Sequence, residues 1–273
     1  MMGKYSDYVL ISDMDGTLLN SRREVSRENR EALRRFTEEG GNFCVATGRT
    51  PEDTRRFLQG IEINTSCVFF NGAMLYDYRQ DKITKAVTLQ GQKWRDFAAF
   101  VVENFPDLCT QVFTAEVCYV VSRINLEDPL WERATYEHIF CPLSEVTDKE
   151  WLKIMVHGDL ALIRQMVAEA KKMGMDEISN SFFAADVCYE FVDKEASKGH
   201  MLKYLRQLPE NRGRKVIAQG DYGNDTFMLQ MADIGVASGN AHEDTKAAAD
   251  IVGVTCDEHL AAYVVGLIDK GEI

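Results

Sequence analysis

Two aspartates one residue apart, Asp13 and Asp15, stand in the string Asp13-Met14-Asp15-Gly16-Thr17-Leu18, directly after the aliphatic run Tyr8-Val9-Leu10-Ile11-Ser12. Carboxylates at this spacing can share a hard cation or divide the roles of nucleophile and proton carrier. The same string also suits a plain turn, since Asp-Gly is ordinary turn chemistry. Further polar clusters follow at Thr47-Gly48-Arg49, Asn71-Gly72-Ala73, Ser197-Lys198-Gly199 and Gly220-Asp221-Tyr222-Gly223-Asn224-Asp225. Together they offer hydroxyl, amide and cationic donors for an anion, and carboxylates for a cation.

Each cluster ends or opens a readable element. Residues 8–12 form a short β-branched and aliphatic run, which predicts a buried strand delivering its C-terminal end to the aspartates. Ser26 can cap a helix whose apolar stripe is Ala32, Leu33 and Phe36, and Gly40-Gly41 stops it. A second strand, Phe43 to Ala46, runs into Thr47, and Thr50-Pro51 opens the next helix with Thr as cap and Pro at the first position. Cys67 to Phe70 is a third strand, ending at Asn71. Late in the chain Ser197 caps a helix with Met201, Leu202 and Leu205 inward, Lys215 to Gln219 enters Gly220-Asp221, and Ile234 to Ala237 enters Ser238-Gly239-Asn240.

Alternating strand and helix is the pattern of a parallel sheet with helices on its faces, and such sheets bind ligands outside the carboxyl ends of their strands. From Asp77 to about Ala196 the pattern changes. Strands such as Val117 to Val121, Ile154 to His157 and Cys188 to Val192 mix there with amphipathic helices at Gln92 to Asn104 and Leu160 to Met173. The expected fold is therefore α/β: a Rossmann-like parallel-sheet core from residues 1–78 and 194–273, with an α/β domain, residues 79–193, inserted in it. A length of 273 residues, against a single-domain prior of roughly 150, agrees with two domains.

A net charge of −12 repels nucleic-acid phosphates, so nucleic acid is not an expected partner. It does not exclude a small phosphorylated ligand, because local cations reverse the field within one cleft. No run approaches the roughly 20 apolar residues of a membrane helix, and no apolar signal region follows Met1-Met2-Gly3-Lys4. Seven cysteines without a Cys-x-x-Cys pair read as free thiols packed as small apolar groups. The expected compartment is the cytoplasm, with no membrane partner.

The string from Asp13 to Leu18 resembles the first motif of the haloacid dehalogenase superfamily, Asp-x-Asp-Gly-Thr-Leu. Three further positions match in the required order: Thr47 ending the second strand, Lys198 at a helix start, and the acidic pair Asp221 and Asp225. Asn71-Gly72-Ala73 and the run from Gly235 to Ala241 resemble the Cof-type subgroup, whose cap is inserted between the second and third motifs. The insertion lies in the matching place.

The resemblance implies a Mg²⁺-dependent phosphatase acting through an aspartyl phosphate, with small phosphorylated metabolites as substrates and sugar phosphates first among them. It assigns Asp13 as nucleophile and Asp15 as the acid and base that moves protons to and from the leaving oxygen and water. It makes Asp13, the Asp15 carbonyl and Asp221 ligands of the metal, with Asp225 behind them. Lys198 would compensate charge, and Thr47, the Gly48 amide and Asn224 would hold phosphoryl oxygens. Arg49 either reaches the substrate or holds the following helix; Asn71 and Asn240 either order their loops or touch substrate. The cap is expected to close over the core and read the leaving group. A phosphomutase using the same phospho-aspartate, or a non-catalytic phosphometabolite-binding regulator, are the alternatives.

Two departures bear on specificity. Tyr222 stands where relatives usually have a small residue, so its ring narrows the site or stacks on substrate, and Ser238 replaces a common Met. Trp131, Tyr136 and Phe140, near helical spacing, read as packing, and His138, His157, His200, His242 and His259 form no metal-ligand spacing.

Overall fold

The computed structural model describes residues 3–122, 137–185 and 187–273. In chain order the elements are β1 (Tyr8–Ser12), α1 (Arg27–Glu38), β2 (Asn42–Val45), α2 (Pro51–Arg55), β3 (Cys67–Phe69), β4 (Met74–Asp77) and β5 (Lys82–Ala86). There follow α3 (Gln92–Asn104), β6 (Cys109–Phe113), β7 (Cys118–Val120), β8 (His138–Phe140), β9 (Lys153–His157), α4 (Leu160–Lys172), β10 (Ser179–Ala185) and β11 (Cys188–Asp193). The chain then continues through α5 (Lys198–Leu205), β12 (Lys215–Gly220), α6 (Gly223–Met231), β13 (Ile234–Ala237), α7 (Glu243–Ala248), β14 (Ile251–Val252) and α8 (Leu260–Lys270).

Two compact units result, one from Met1–Lys85 and Ser197–Ile273, the other from Ala86–Ala196. The first is built on a parallel sheet in the order β14-β13-β12-β1-β2. Its strands are continuous apolar runs because helices cover both faces of such a sheet; Val9, Leu10, Ile11, Val216, Ile217 and Ala218 are all fully buried. Local signals place the helices as expected. Ser26 caps α1 by accepting the Asn29 amide, Thr50 caps α2 with Pro51 at its first position, and Ser197 caps α5 by accepting the His200 amide.

The sequence boundary at residues 78/79 falls inside this unit, because β5 returns to join β3 and β4 in a small sheet of its own. At the other end the unit resumes at Ser197, the cap of α5, rather than at residue 194.

The inserted unit carries a sheet in the order β10-β11-β9-β6-β7-β8. Its pairings are antiparallel except β7 with β8. Trp94, Phe97 and Val101 of α3, with Ile163 and Met166 of α4, bury one apolar side against Val112, Ile154, Val156 and Phe191. Lys153 and Glu190 are also buried, as an ion pair at 2.9 Å. Trp131 and Tyr136 lie outside the described residues, and Phe140 is exposed. The seven cysteines are unpaired, six of them buried. Among the described residues no helix is long and apolar enough to cross a membrane.

Candidate active site

Because β1, β2, β12 and β13 run parallel, their carboxyl ends share one edge, and the polar clusters sit there. Asp13 leaves β1 with its amide bonded to the Gln219 carbonyl of β12 at 2.9 Å. Its side chain is nearly buried, and Lys198, from the first turn of α5, donates Nζ to Asp13 Oδ1 at 2.6 Å. The same ammonium donates to Asp225 Oδ1 at 2.7 Å. Burial alone disfavours the charged ammonium, but Asp13 and Asp225 outweigh it and hold the lysine above its ordinary pKa.

Asp225 has a second role. Its Oδ2 accepts the backbone amides of Asp221 and Tyr222, at 3.0 and 3.2 Å, and so fixes the loop that presents Asp221. Asp221 itself accepts the Thr17 hydroxyl at 3.1 Å. Gly16 is required where these loops meet: its φ is +77°, and a Cβ there would lie 2.3 Å from Asp221 Oδ2.

Asp13, Asp221 and Asp225 bring carboxylate oxygens within 4.8 Å of one another, the one such acidic, His or Cys group among the described residues. With only Lys198 to balance the group, Asp13 and Asp221 resist ionisation. Burial first, and then Asp225 and Asp221, push Asp13 well above the usual carboxylate range despite Lys198. Burial and Asp225 push Asp221 up to about 6. A crowded, oxygen-only group with surplus negative charge fits a hard divalent cation such as Mg²⁺. Both Asp225 oxygens already accept hydrogen bonds, so Asp13 and Asp221 are the carboxylates with capacity for it.

Asp15 stands apart from this cluster. Its carboxyl, about half exposed, takes a two-pronged ion pair from Arg49, with Nε to Oδ2 and Nη2 to Oδ1 both at 2.7 Å. Arg49 also donates to Asp53 of α2 and lies over the Phe57 ring at 4.8 Å. These contacts tie Arg49 to the following helix and to Asp15, the second a contact that no local signal announced.

The remaining loops interlock. The Thr47 carbonyl accepts the Asn71 amide at 3.0 Å, and Asn224 Nδ2 donates to Asn71 Oδ1 at 3.0 Å. Asn240 donates to the Gly16 carbonyl at 2.8 Å and accepts the Cys256 amide at 2.8 Å, tying the β13 loop to the Asp13 loop. The turn after β3 is strained: Phe70 and Asn71 have φ of 51° and 55°. Such non-glycine backbone costs of order 1–3 kcal/mol per residue and persists only where surrounding contacts enforce it.

Beneath Asp13, buried Gln219 donates to Ser12 Oγ at 2.8 Å, and Ser12 donates to the Asp13 carbonyl at 2.6 Å. Neither residue was singled out from sequence, although a glutamine and a serine inside apolar strands are the available signal. Thr17 was read only as a motif member. Tyr222 is exposed and meets the His242 ring edge to face at 6.0 Å between centroids.

Known proteins resemble this chain over most of its length. The chain is 28% identical to the phosphatase YwpJ of Bacillus subtilis (strain 168), over 93% of this chain and 96% of that protein. It is 26% identical to the pyridoxal phosphate phosphatase YbhA of Escherichia coli (strain K12), over 94% and 97%. A haloacid dehalogenase-like hydrolase from Bacteroides thetaiotaomicron superposes with a TM-score of 0.80 at 25% identity, covering 96% of this chain and 98% of that one. The family model for haloacid dehalogenase-like hydrolases matches residues 10–264, and the chain belongs to that family.

Proposed function

We propose that this protein is a Mg²⁺-dependent phosphate-monoester hydrolase for small phosphorylated metabolites, working through a phospho-aspartate on Asp13. The observation that carries the reading is the buried Asp13–Lys198–Asp225 chain beside Asp221, a carboxylate held with one fixed cation and room for a second. Phosphate monoesters are hydrolysed very slowly without help, so a site must screen a dianion, align a nucleophile and protonate the leaving oxygen.

Asp13 and Asp221 would hold the ion, with the backbone carbonyl of Asp15. When bound, it supplies positive charge against which a phosphoryl dianion approaches the carboxylates. Asp13 attacks phosphorus, forming an acyl phosphate as the ester oxygen leaves, and Asp15, having taken up a proton on the oxygen that Arg49 yields, gives that proton to the leaving oxygen. Asp15 then takes a proton from water; the water oxygen bonds to phosphorus, the Asp13–phosphorus bond breaks, and inorganic phosphate is released. Lys198 aims the Asp13 carboxyl and offsets part of the negative charge gathered around it. Thr47, the Gly48 amide and Asn224 hold phosphoryl oxygens, and Arg49 orients Asp15.

The names of YwpJ and YbhA support a phosphatase, and YbhA a phosphorylated metabolite as substrate. Sugar phosphates head the expected substrates, and choice of leaving group is assigned to the inserted unit. A phosphate-release screen over sugar phosphates, nucleotides and phosphorylated cofactors, with and without Mg²⁺, tests the reading. We expect release only with the metal; release from none of these classes overturns it.

A second expectation follows from the crowded carboxylates. A cation must displace protons from Asp13 and Asp221, so its affinity falls as pH drops through about 6. The thermal shift on adding Mg²⁺ is therefore expected to be large near about pH 7.5 and small near about pH 5. Without metal the sign reverses. The folded-state pKa of Asp221, about 6, lies above its ordinary value of 3.8, so its contribution to stability is fully present below 3.8 and is lost as pH rises through 6. A Mg²⁺ shift equal at both pH values would count against this account.

A further inference from the structure

We propose that Asn71 is a positioning residue of the phosphoryl-binding cradle, acting through Asn224 and the Gly48 loop. The inference rests on the phosphatase reading and adds a residue to it. Asn71 is buried, and its contacts reach two of the other polar clusters, Thr47-Gly48-Arg49 and the one that holds Asn224. Its amide bonds to the Thr47 carbonyl and its Oδ1 takes the Asn224 amide at 3.0 Å. Its carboxamide packs onto Gly48 so closely that a Cβ there would come within 2.7 Å of Nδ2. The neighbouring residues add two fixed points. Phe70 bonds its amide to the Arg49 carbonyl at 3.3 Å, and Gly72 lies so near Ser197 that a Cβ would come within 2.2 Å of its backbone.

The backbone makes this arrangement more than ordinary loop packing. Phe70, Asn71 and Gly72 have consecutive φ values of 51°, 55° and 104°. A buried phenylalanine rarely adopts such a conformation, whereas asparagine tolerates it. Strain of this kind marks positions where the surrounding structure over-determines the chain, and the contacts to Thr47, Gly48, Arg49, Asn224 and Ser197 are among its determinants here. The strained turn delivers one carboxamide oxygen to Asn224 and so fixes which way that side chain presents its remaining donor. The same carboxamide presses on Gly48, whose amide is the other donor assigned to phosphoryl oxygen.

Glycine accepts the backbone conformation of residue 71 and removes the carboxamide together with its methylene. Asn71→Gly is therefore expected to unfold cooperatively near the parent Tm, to lose about ten- to a hundredfold in kcat/KM, and to bind inorganic phosphate about tenfold more weakly. Asn71→Asp keeps an oxygen for Asn224 but brings a negative charge to the cradle, and is expected to weaken phosphate binding further. In a double-mutant cycle, Asn71→Gly is expected to cost little more once Asn224→Ala is present. A structural role alone would lower Tm and leave the kinetic constants of the folded protein unchanged.

Phosphate binding is measured by calorimetry in the presence of Mg²⁺, so the result does not depend on turnover. If the parent binds phosphate but hydrolyses no ester, the phosphatase reading fails while the role of Asn71 is still decided. Asn71→Gly binding phosphate and turning over like the parent, or strict additivity with Asn224→Ala, overturns the proposal; a parent that neither binds phosphate nor releases it from any ester overturns both.

Discussion

Asn at position 13 is expected to lower phosphate release by at least about a thousandfold while leaving the fold intact. The carboxamide keeps the shape of the side chain but cannot attack phosphorus as a carboxylate. The stability effect should run the other way. Asp13 is raised well above the usual carboxylate range by burial, then by Asp225 and Asp221 against Lys198, so its charge is a liability in the metal-free protein. Asp13→Asn removes one negative charge from a group that has only Lys198 to offset it. The metal-free variant should melt at or above the parent temperature, as often happens when a strained functional site is neutralised. The Mg²⁺ thermal shift should shrink, because one carboxylate with capacity for the ion is gone. Hydrolysis of the best substrate at the parental rate would end the covalent mechanism.

Lys198→Ala should damage both activity and stability. The ammonium is fully buried between Asp13 and Asp225, at 2.6 and 2.7 Å, and removing one partner of such a group leaves the others as uncompensated buried charge. A loss of about 3–5 kcal/mol in chemical denaturation is expected, together with loss of turnover. Pairing Lys198→Met with Asp225→Asn should recover part of the stability and none of the rate, since it removes a stranded carboxylate without restoring the cation. A Lys198→Ala protein as stable as the parent would mean that the ammonium does not neutralise this cluster.

How far these features could be read beforehand depends on how local their causes are. β1, α1, α2 and α3 were legible because caps, Pro at a first position and apolar periodicity act within a few residues. β6 was not read as a strand. Cys109, Thr110 and Gln111 give it a polar look, yet all five of its residues are buried between β9 and β7. Burial there is imposed by neighbours far along the chain. Asp13, Lys198 and Asp221 were found from motif order, and the distances then brought them together. The ion pair of Arg49 with Asp15 and the positive φ at Phe70 had no such signal: one depends on a partner 34 residues away, the other runs against the preference of its own residue type.

The order β14-β13-β12-β1-β2 has a consequence for how the molecule is made. β1 emerges from the ribosome early and can pair on one side with β2, but its other neighbour, β12, begins only at Lys215. Throughout synthesis of the inserted unit, the central strand keeps an apolar edge with open backbone hydrogen bonds. Such an edge invites pairing with other chains. Asp13, at the end of β1, thus stands beside an open strand edge until β12 has been made, and a nascent chain cut short within the insertion has no partner for that edge.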